Sequence, residues 1–313
     1  MLGHIVRRLL LAIPTLFVVL TIIFVIVRVA PGDPATAALG DYASEEAVDA
    51  LRTRMGLDEP LWRQYVTFLT DLVRGDLGNS LISGKPAWEQ IQFVLPYTLE
   101  LTFAAILIGL TLGVPLGVLT AVRRNSVTDY TGRILSLIGL SVPAFYLGVI
   151  LIYIFAVQLD FFPAVSSPPF SEPAGNLHAL VLPAFTLGLI ETAYITRMTR
   201  SVMLGILSDD YVRTARAKGL VERTVLIRHA LRAGLIPIVS LIGIFAISLI
   251  GSSVLTEEVF ARPGLGKLMI GATKQRDYTL LQSIMVIYSA IIIVINIGTD
   301  LVYTMVDPRV RHG

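Results

Sequence analysis

Few residues in this sequence could make or break bonds. There is no cysteine among the 313 residues, so thiol nucleophiles, disulfides and thiolate metal sites are excluded. Imidazole comes only from His4, His178, His229 and His312, which are scattered, with no pair at metal-ligand spacing. Neither His-Glu-x-x-His nor Gly-x-Ser-x-Gly occurs, which leaves an intramembrane enzyme, with a catalytic Asp pair or a Ser/His dyad, without a pattern to rest on. Pro263-Gly264-Leu265-Gly266-Lys267 superficially looks like a phosphate loop. It lacks the required glycine spacing, and Leu268 follows the lysine where Ser or Thr is needed. A loop leading into the last apolar segment is the better reading.

The polar residues that invite a functional reading lie inside apolar stretches. Glu191 interrupts one, and an ionisable group there is a functional hypothesis by default. Packing glue, or an acid facing a water-filled cavity, are its alternatives. Glu257 and Glu258 lie near the end of the next stretch and Asp300 near the end of the last, where solvent is expected to reach all three. Gly251, Ser252 and Ser253 put small side chains along one stretch, fit for a subunit seam or a narrow gate. Ser141, Pro143 and Tyr146, with Tyr153 beyond, could likewise line a passage. Ordinary helix packing is the plain alternative for each of these.

The elements that must position such groups are membrane spans. Hydrophobic residues make up 54% and charged residues 15%, against about 25% charged in a water-soluble domain. Mean hydropathy is +0.74. The apolar residues fall into blocks of roughly 20, the length that crosses about 30 Å of hydrocarbon. Six blocks qualify: Leu9–Val29, Leu99–Ala121, Ile134–Leu159, Leu177–Ile195, Leu235–Leu255 and Leu280–Met305. The first is too long for a signal-peptide core, and the small-x-small Ala35-Thr36-Ala37 lies well beyond it. The fourth is the weakest, because Pro183 and Glu191 interrupt it. An all-α polytopic fold with six transmembrane helices is expected, without internal repeats or low-complexity tracts.

Six spans place both termini on one side, together with loops 122–133 and 196–234. These carry Arg7, Arg8, Arg123, Arg124, Arg133, Arg197, Arg200, Arg213, Arg216, Lys218, Arg223, Arg228, Arg232, Arg309 and Arg311, which marks that side as cytoplasmic. The loop 161–176 has no Lys or Arg, and Asp33, Asp41, Glu45, Glu46, Asp58 and Glu59 make the start of segment 30–98 acidic. Loop 262–277 dissents with Arg262, Lys267, Lys274 and Arg276. The net charge of +2 is too small to suggest nucleic acid. Within 30–98, Pro31-Gly32-Asp33-Pro34 ends the first helix, Ser44 could cap a helix through about Arg54, and apolar spacing predicts another from Pro60 through Leu72. The expected organisation is therefore an N-terminal span (1–29), a small helical extracytoplasmic segment (30–98), a five-span core (99–306) containing a cytoplasmic region 201–234, and a tail (307–313).

The most informative stretch is Asp209-Asp210-Tyr211-Val212-Arg213-Thr214-Ala215-Arg216-Ala217-Lys218-Gly219. Ser208 or Asp209 can cap a helix, the acidic pair favours its N-terminus, and Gly219 suits a turn before Val221–Leu231 resumes helically. Ala215 and Ala217 would let another protein approach closely. A basic amphipathic helix resting on anionic lipid is an equal reading of the local pattern.

With His229-Ala230-Leu231-Arg232 and Ile236-Pro237 following it, this stretch resembles the cytoplasmic signature of binding-protein-dependent ABC importer permeases. In particular it is similar to the B-type permease of dipeptide, oligopeptide and nickel importers. The resemblance extends over nearly the whole chain, through Gly56-Leu57-Asp58-Glu59-Pro60, Gly75-Asp76-Leu77-Gly78, Thr98-Leu99-Glu100-Leu101, Arg197-Met198-Thr199-Arg200, Leu255-Thr256-Glu257, Arg276-Asp277-Tyr278 and Asp307-Pro308-Arg309. Arg213, Thr214 and Ala215 stand where the general signature has Glu-Ala-Ala, a departure characteristic of the peptide branch.

The resemblance implies a type I importer permease fold in a bacterial inner membrane. It implies that Asp210, Tyr211, Arg213, Thr214, Ala215, Arg216, Ala217, Lys218 and Gly219 form a coupling helix seated in a cytoplasmic ATPase. It also implies a heterodimer with a second related permease, two ABC ATPases that hold ATP and Mg, no cofactor on this chain, and an external solute-binding protein received by segment 30–98. Di- or oligopeptides are the default substrates. A self-contained secondary transporter or channel is the alternative, against which stand the lack of an inverted repeat and the single mid-span carboxylate.

Overall fold

A computed structural model of the chain describes residues 2–29, 34–40 and 43–306. Pro31, Gly32, Asp33 and Asp41, and the tail 307–313 with Asp307-Pro308-Arg309, Arg311 and His312, lie outside the described residues. Among the described residues the fold is helical, with one isolated antiparallel bridge between Asn79 and Pro86. In chain order the helices are α1 (Leu2–Val29), α2 (Pro34–Leu39), α3 (Glu45–Arg54), α4 (Leu61–Val73), α5 (Ala87–Val122), α6 (Val127–Ser141), α7 (Ala144–Leu151), α8 (Pro173–Leu207), α9 (Asp210–Ala217), α10 (Glu222–Thr224), α11 (Arg232–Val259), α12 (Leu265–Lys274) and α13 (Tyr278–Val306). π-helical turns continue α7 over Ile152–Gln158 and join α10 to α11 over Val225–Leu231.

Among the described residues five helices are long and apolar enough to cross a membrane, and a bent pair, Val127–Ser141 with Ala144–Gln158, brings the number to six when counted as one span. This third span is not the straight rod that its apolar run predicts. It bends by 101°. The cause is local: Val142 takes extended backbone (φ −90°, ψ 122°), the conformation favoured before proline, and Pro143 caps the start of the next helix.

The chain forms two compact units. In the unit containing Tyr97–Arg262, α8 is the hub, packed against α6, α7 and α11. It corresponds to the fourth apolar block, whose interruptions made it look weakest. About 67% of its apolar stretch is buried, against 22–35% in the other four long helices. A helix surrounded by other helices needs less apolar surface than one facing lipid, so low hydropathy here marks centrality. Pro183 sits inside it without ending it.

Along α5, Gly109, Gly113 and Gly117 recur every fourth residue and lie against Glu191, Ile195 and Thr199 of α8. A methyl added at Gly117 would lie 2.5 Å from Thr199 Cβ, and at Gly113 2.8 Å from Ile195 Cβ. Both numberings rise together, so the two helices run parallel in close backbone contact, the small-xxx-small arrangement of membrane helix pairs. Thr196 Oγ1 donates across the seam to the Gly113 carbonyl at 3.3 Å.

The other unit comprises Val6–Pro96 and Pro263–Val294. Its core is Ala87, Ile91, Val94, Leu265, Ala272, Leu280 and Ile284. Ser44 caps α3, its Oγ accepting from Ala47 N at 3.3 Å. α12 lies within the stretch that the sequence presented as a plain loop.

Candidate coupling and pathway sites

α9 projects from the end of α8 and is held by few side chains. Val212 and Ala215 are buried together with Val225, against Ile206 and Leu207. The two inward positions lie three residues apart, one helical turn. The remaining face is open: Tyr211, Arg213, Thr214, Arg216, Ala217 and Lys218 are exposed. Ala215 therefore anchors the helix from within, and of the two alanines expected to admit a partner only Ala217 is on the surface. Asp209 occupies the N-cap backbone position, but its side chain makes no capping bond, and the Ser208 hydroxyl turns back to the Gly205 carbonyl.

The C-terminal end of α9 is sharply defined. Gly219 has φ +76°, its N–H donates to the Arg216 carbonyl, and Leu220 N donates to Ala215. This is a helix-terminating motif that requires a left-handed residue. Arg216 then spans the turn, with Nε and Nη2 donating to both Glu222 oxygens at 3.1 and 2.8 Å. That contact holds the Glu222 carboxyl below its ordinary pKa and raises Arg216. Burial, with Asp209 nearby, pushes the Tyr211 phenol up. Beside this region Arg200 makes a two-pronged pair with buried Asp129, at 2.6 and 2.8 Å, tying α8 to the start of α6.

The pathway candidates do not converge. Ser141, Tyr146, Tyr153 and Ser252 are exposed, and no hydrogen bond joins any two of the six candidates. Glu191 is buried on the α5–α8 seam against Gly109, with no partner on Oε2. Ser253 is fully buried and donates to the Ile250 carbonyl and to Glu257. Glu257, expected to meet solvent, is fully buried and accepts from the Thr98 hydroxyl at 2.7 Å. Glu258 is exposed, and the Asp300 side chain lies outside the described residues.

A polar knot that sequence reasoning missed lies nearby. Arg262, counted among the dissenting loop charges, is 1% exposed. Its Nη2 donates to Glu100 Oε2 at 2.5 Å and to Asn176 Oδ1 at 3.0 Å, while Asn176 Nδ2 donates to Glu100 at 2.8 Å. The guanidinium also stands 5.2 Å from the Tyr97 ring centre. Burial pulls Arg262 below its ordinary pKa, and Glu100 opposes that. The knot joins α5, the first turn of α8 and the segment after α11.

The fold is that of an all-α polytopic membrane protein built around a parallel helix seam, with a short helix hung from its hub. The chain belongs to the family described as the binding-protein-dependent transport system inner membrane component, whose model matches residues 113–312, and the N-terminal model of the same family matches residues 1–102. It is thus a multi-pass permease subunit of a binding-protein-dependent ABC importer. It is 38% identical to the dipeptide transport system permease protein DppB of Alkalihalophilus pseudofirmus and 39% identical to the oligopeptide transport system permease protein AppB of Bacillus subtilis. It is 38% identical to the glutathione transport system permease protein GsiC of Pectobacterium atrosepticum, and in all three cases the match covers 100% of both chains. Among solved structures it is similar to the MetNI methionine ABC transporter in an inward-facing conformation, with a TM-score of 0.55 at 24% identity, covering 67% of this chain and 93% of that one. That likeness speaks to the fold.

Proposed function

We propose that the chain is one of two related permease subunits of an ATP-driven importer of di- or oligopeptides, coupled to a cytoplasmic ABC ATPase through Asp210–Gly219. The observation that carries this reading is the construction of α9. Two inward side chains fix it, a left-handed glycine stops it, and its basic face is open. A helix with one anchored and one open face behaves as a rigid body when pushed, which is what a two-state switch driven from outside the chain requires. The names of the relatives support peptides as the solute class. On this reading ATP and Mg are held by the partner ATPases, an external binding protein delivers the solute, and both termini are cytoplasmic, on the side of the basic loops.

Uptake of a labelled dipeptide into vesicles tests the proposal. It is expected only when the second permease, the ATPases, the binding protein and ATP are all present. Uptake by this chain alone on an ion gradient would establish the secondary-transporter reading instead. A residue-level companion is Gly219→Val. Open space surrounds Gly219, so the substitution meets no clash, and a left-handed β-branched residue strains only the turn, by about 1–2 kcal/mol. Membrane insertion is expected to persist while ATP hydrolysis becomes uncoupled from uptake. Normal coupling in this variant would remove the turn from the mechanism.

A further inference from the structure

α4 falls in the segment expected to form a small helical extracytoplasmic part after the first span. Its contacts place it alongside that span. The Tyr65 ring lies 6.2 Å from Phe17 and 5.1 Å from Phe24 of α1, and its hydroxyl shares a hydrogen bond with Thr21. Phe68 stacks on Phe24 at 5.8 Å, and Arg28 Nε donates to Gln64 at 2.8 Å. From Phe17 to Arg28 α1 rises about 16 Å. This stretch lies within its apolar span, Leu10–Arg28. A helix that touches Phe17, Thr21 and Phe24 is therefore level with hydrocarbon, not stacked past the end of α1.

The rest of α4 divides in the way that such a level requires. Arg63, Thr67 and Asp71 form a polar face and, with Glu59 and Asp76, border a cavity of about 710 Å³. Away from it, Trp62, Val66, Leu69 and Val73 recur at i, i+4, i+7 and i+11, a single stripe at helical period. Trp62 is 68% exposed and Val73 89%, with Val66 exposed and Leu69 half-buried between them. Val18, Ile22 and Val25 of α1 are also exposed and apolar over the same stretch.

We propose that α4 is an interfacial helix seated in phospholipid, with the Trp62–Val73 stripe among the acyl chains and the Arg63–Asp71 face turned to water. The occupant is lipid because α4 packs beside a membrane span at hydrocarbon depth with this stripe left open, and because the charged Arg63–Asp71 face is turned to a separate cavity. Amphipathic helices of this kind bury their apolar face about 5–10 Å into the headgroup–acyl boundary. A tryptophan at one end is the residue type that prefers that boundary.

The chain has two tryptophans, Trp62 and Trp88. In the full chain reconstituted by itself in phosphatidylcholine vesicles, Trp88→Phe leaves Trp62 as the sole reporter. Lipid brominated near the headgroup end of its chains is expected to lower the emission, with little effect of iodide in the water phase. Quenching by iodide without quenching by brominated lipid would place α4 in water and overturn the proposal. Insensitivity to both quenchers would mean that protein covers the stripe, which overturns it equally. Because the chain has no cysteine, Val66→Cys offers a second, independent site for a single nitroxide label. The label is expected to be more accessible to oxygen than to a water-soluble nickel chelate, and the reverse order counts against the lipid assignment.

Discussion

Arg262 closes the segment after α11 with its guanidinium buried, paired to Glu100 and Asn176, and with Nε and Nη1 unbonded. Removing one member of such a pair leaves the other charge stranded, whereas replacing both with apolar groups can be nearly neutral. Arg262→Met is therefore expected to destabilise the protein by about 3 kcal/mol, and Arg262→Met with Glu100→Leu to recover most of that loss. Thermal unfolding of the two variants in detergent reads the difference. A double variant as unstable as the single one would show that the pair is not coupled. Nothing local in the sequence announces this contact, because its partners lie 162 and 86 residues away. Counting charges by loop treats every arginine as solvated, and so it sets Arg262 against the sidedness that the other loops indicate. Glu257 was misjudged for the same reason: its position near a helix end says nothing about Thr98 bonding to it.

At the level of elements, long apolar helices were legible and their directions were not. Hydropathy along 134–159 shows one span, yet Val142-Pro143 turns it through 101°. The signal was present in the proline, and a window average cannot carry it. The α5–α8 seam was legible in principle through its four-residue glycine period at Gly109, Gly113 and Gly117. Gly117→Leu forces the helices apart at their tightest point and is expected to cost at least about 2 kcal/mol, read by thermal unfolding. Gly205→Leu serves as its control, since open space surrounds that glycine in the same unit. At the α9–α10 turn the Arg216–Glu222 contact gives a pH dependence of known sign. Glu222 titrates lower in the folded chain, so the contact's contribution is present above the ordinary carboxylate pKa and is lost as pH falls through the depressed value. Hydrogen exchange of amides 214–224 is expected to quicken on acidification beyond its intrinsic pH dependence. In Glu222→Gln the exchange is expected to be fast at neutral pH already.

For the molecule as a whole, composition and the order of motifs were enough to read an all-α importer permease, and both the family models and the helices agree. What the sequence left open is where side chains meet, because that depends on the packing of helices distant in the chain. The basic signature 210–219 named a region; the burial of Val212 and Ala215 shows which side of it is free. The proposed arrangement of six spans with both termini cytoplasmic predicts that single-cysteine labels at Ser126 and at Ser171 react from opposite sides of the membrane. Labelling of both by the same impermeant reagent in intact cells would break that arrangement.

α8 is fastened at three heights. Asn176, in its first turn, belongs to the Arg262 knot; Glu191, Ile195 and Thr199 mesh with the glycines of α5; Ile206 and Leu207, in its last turn, grip α9. Over its 35 residues it runs about 52 Å. On the proposed coupling, a displacement applied to α9 enters a shaft whose far end is held by the Arg262 knot. Pro183, between Asn176 and the seam, is the point at which that rod lacks one backbone hydrogen bond of its own.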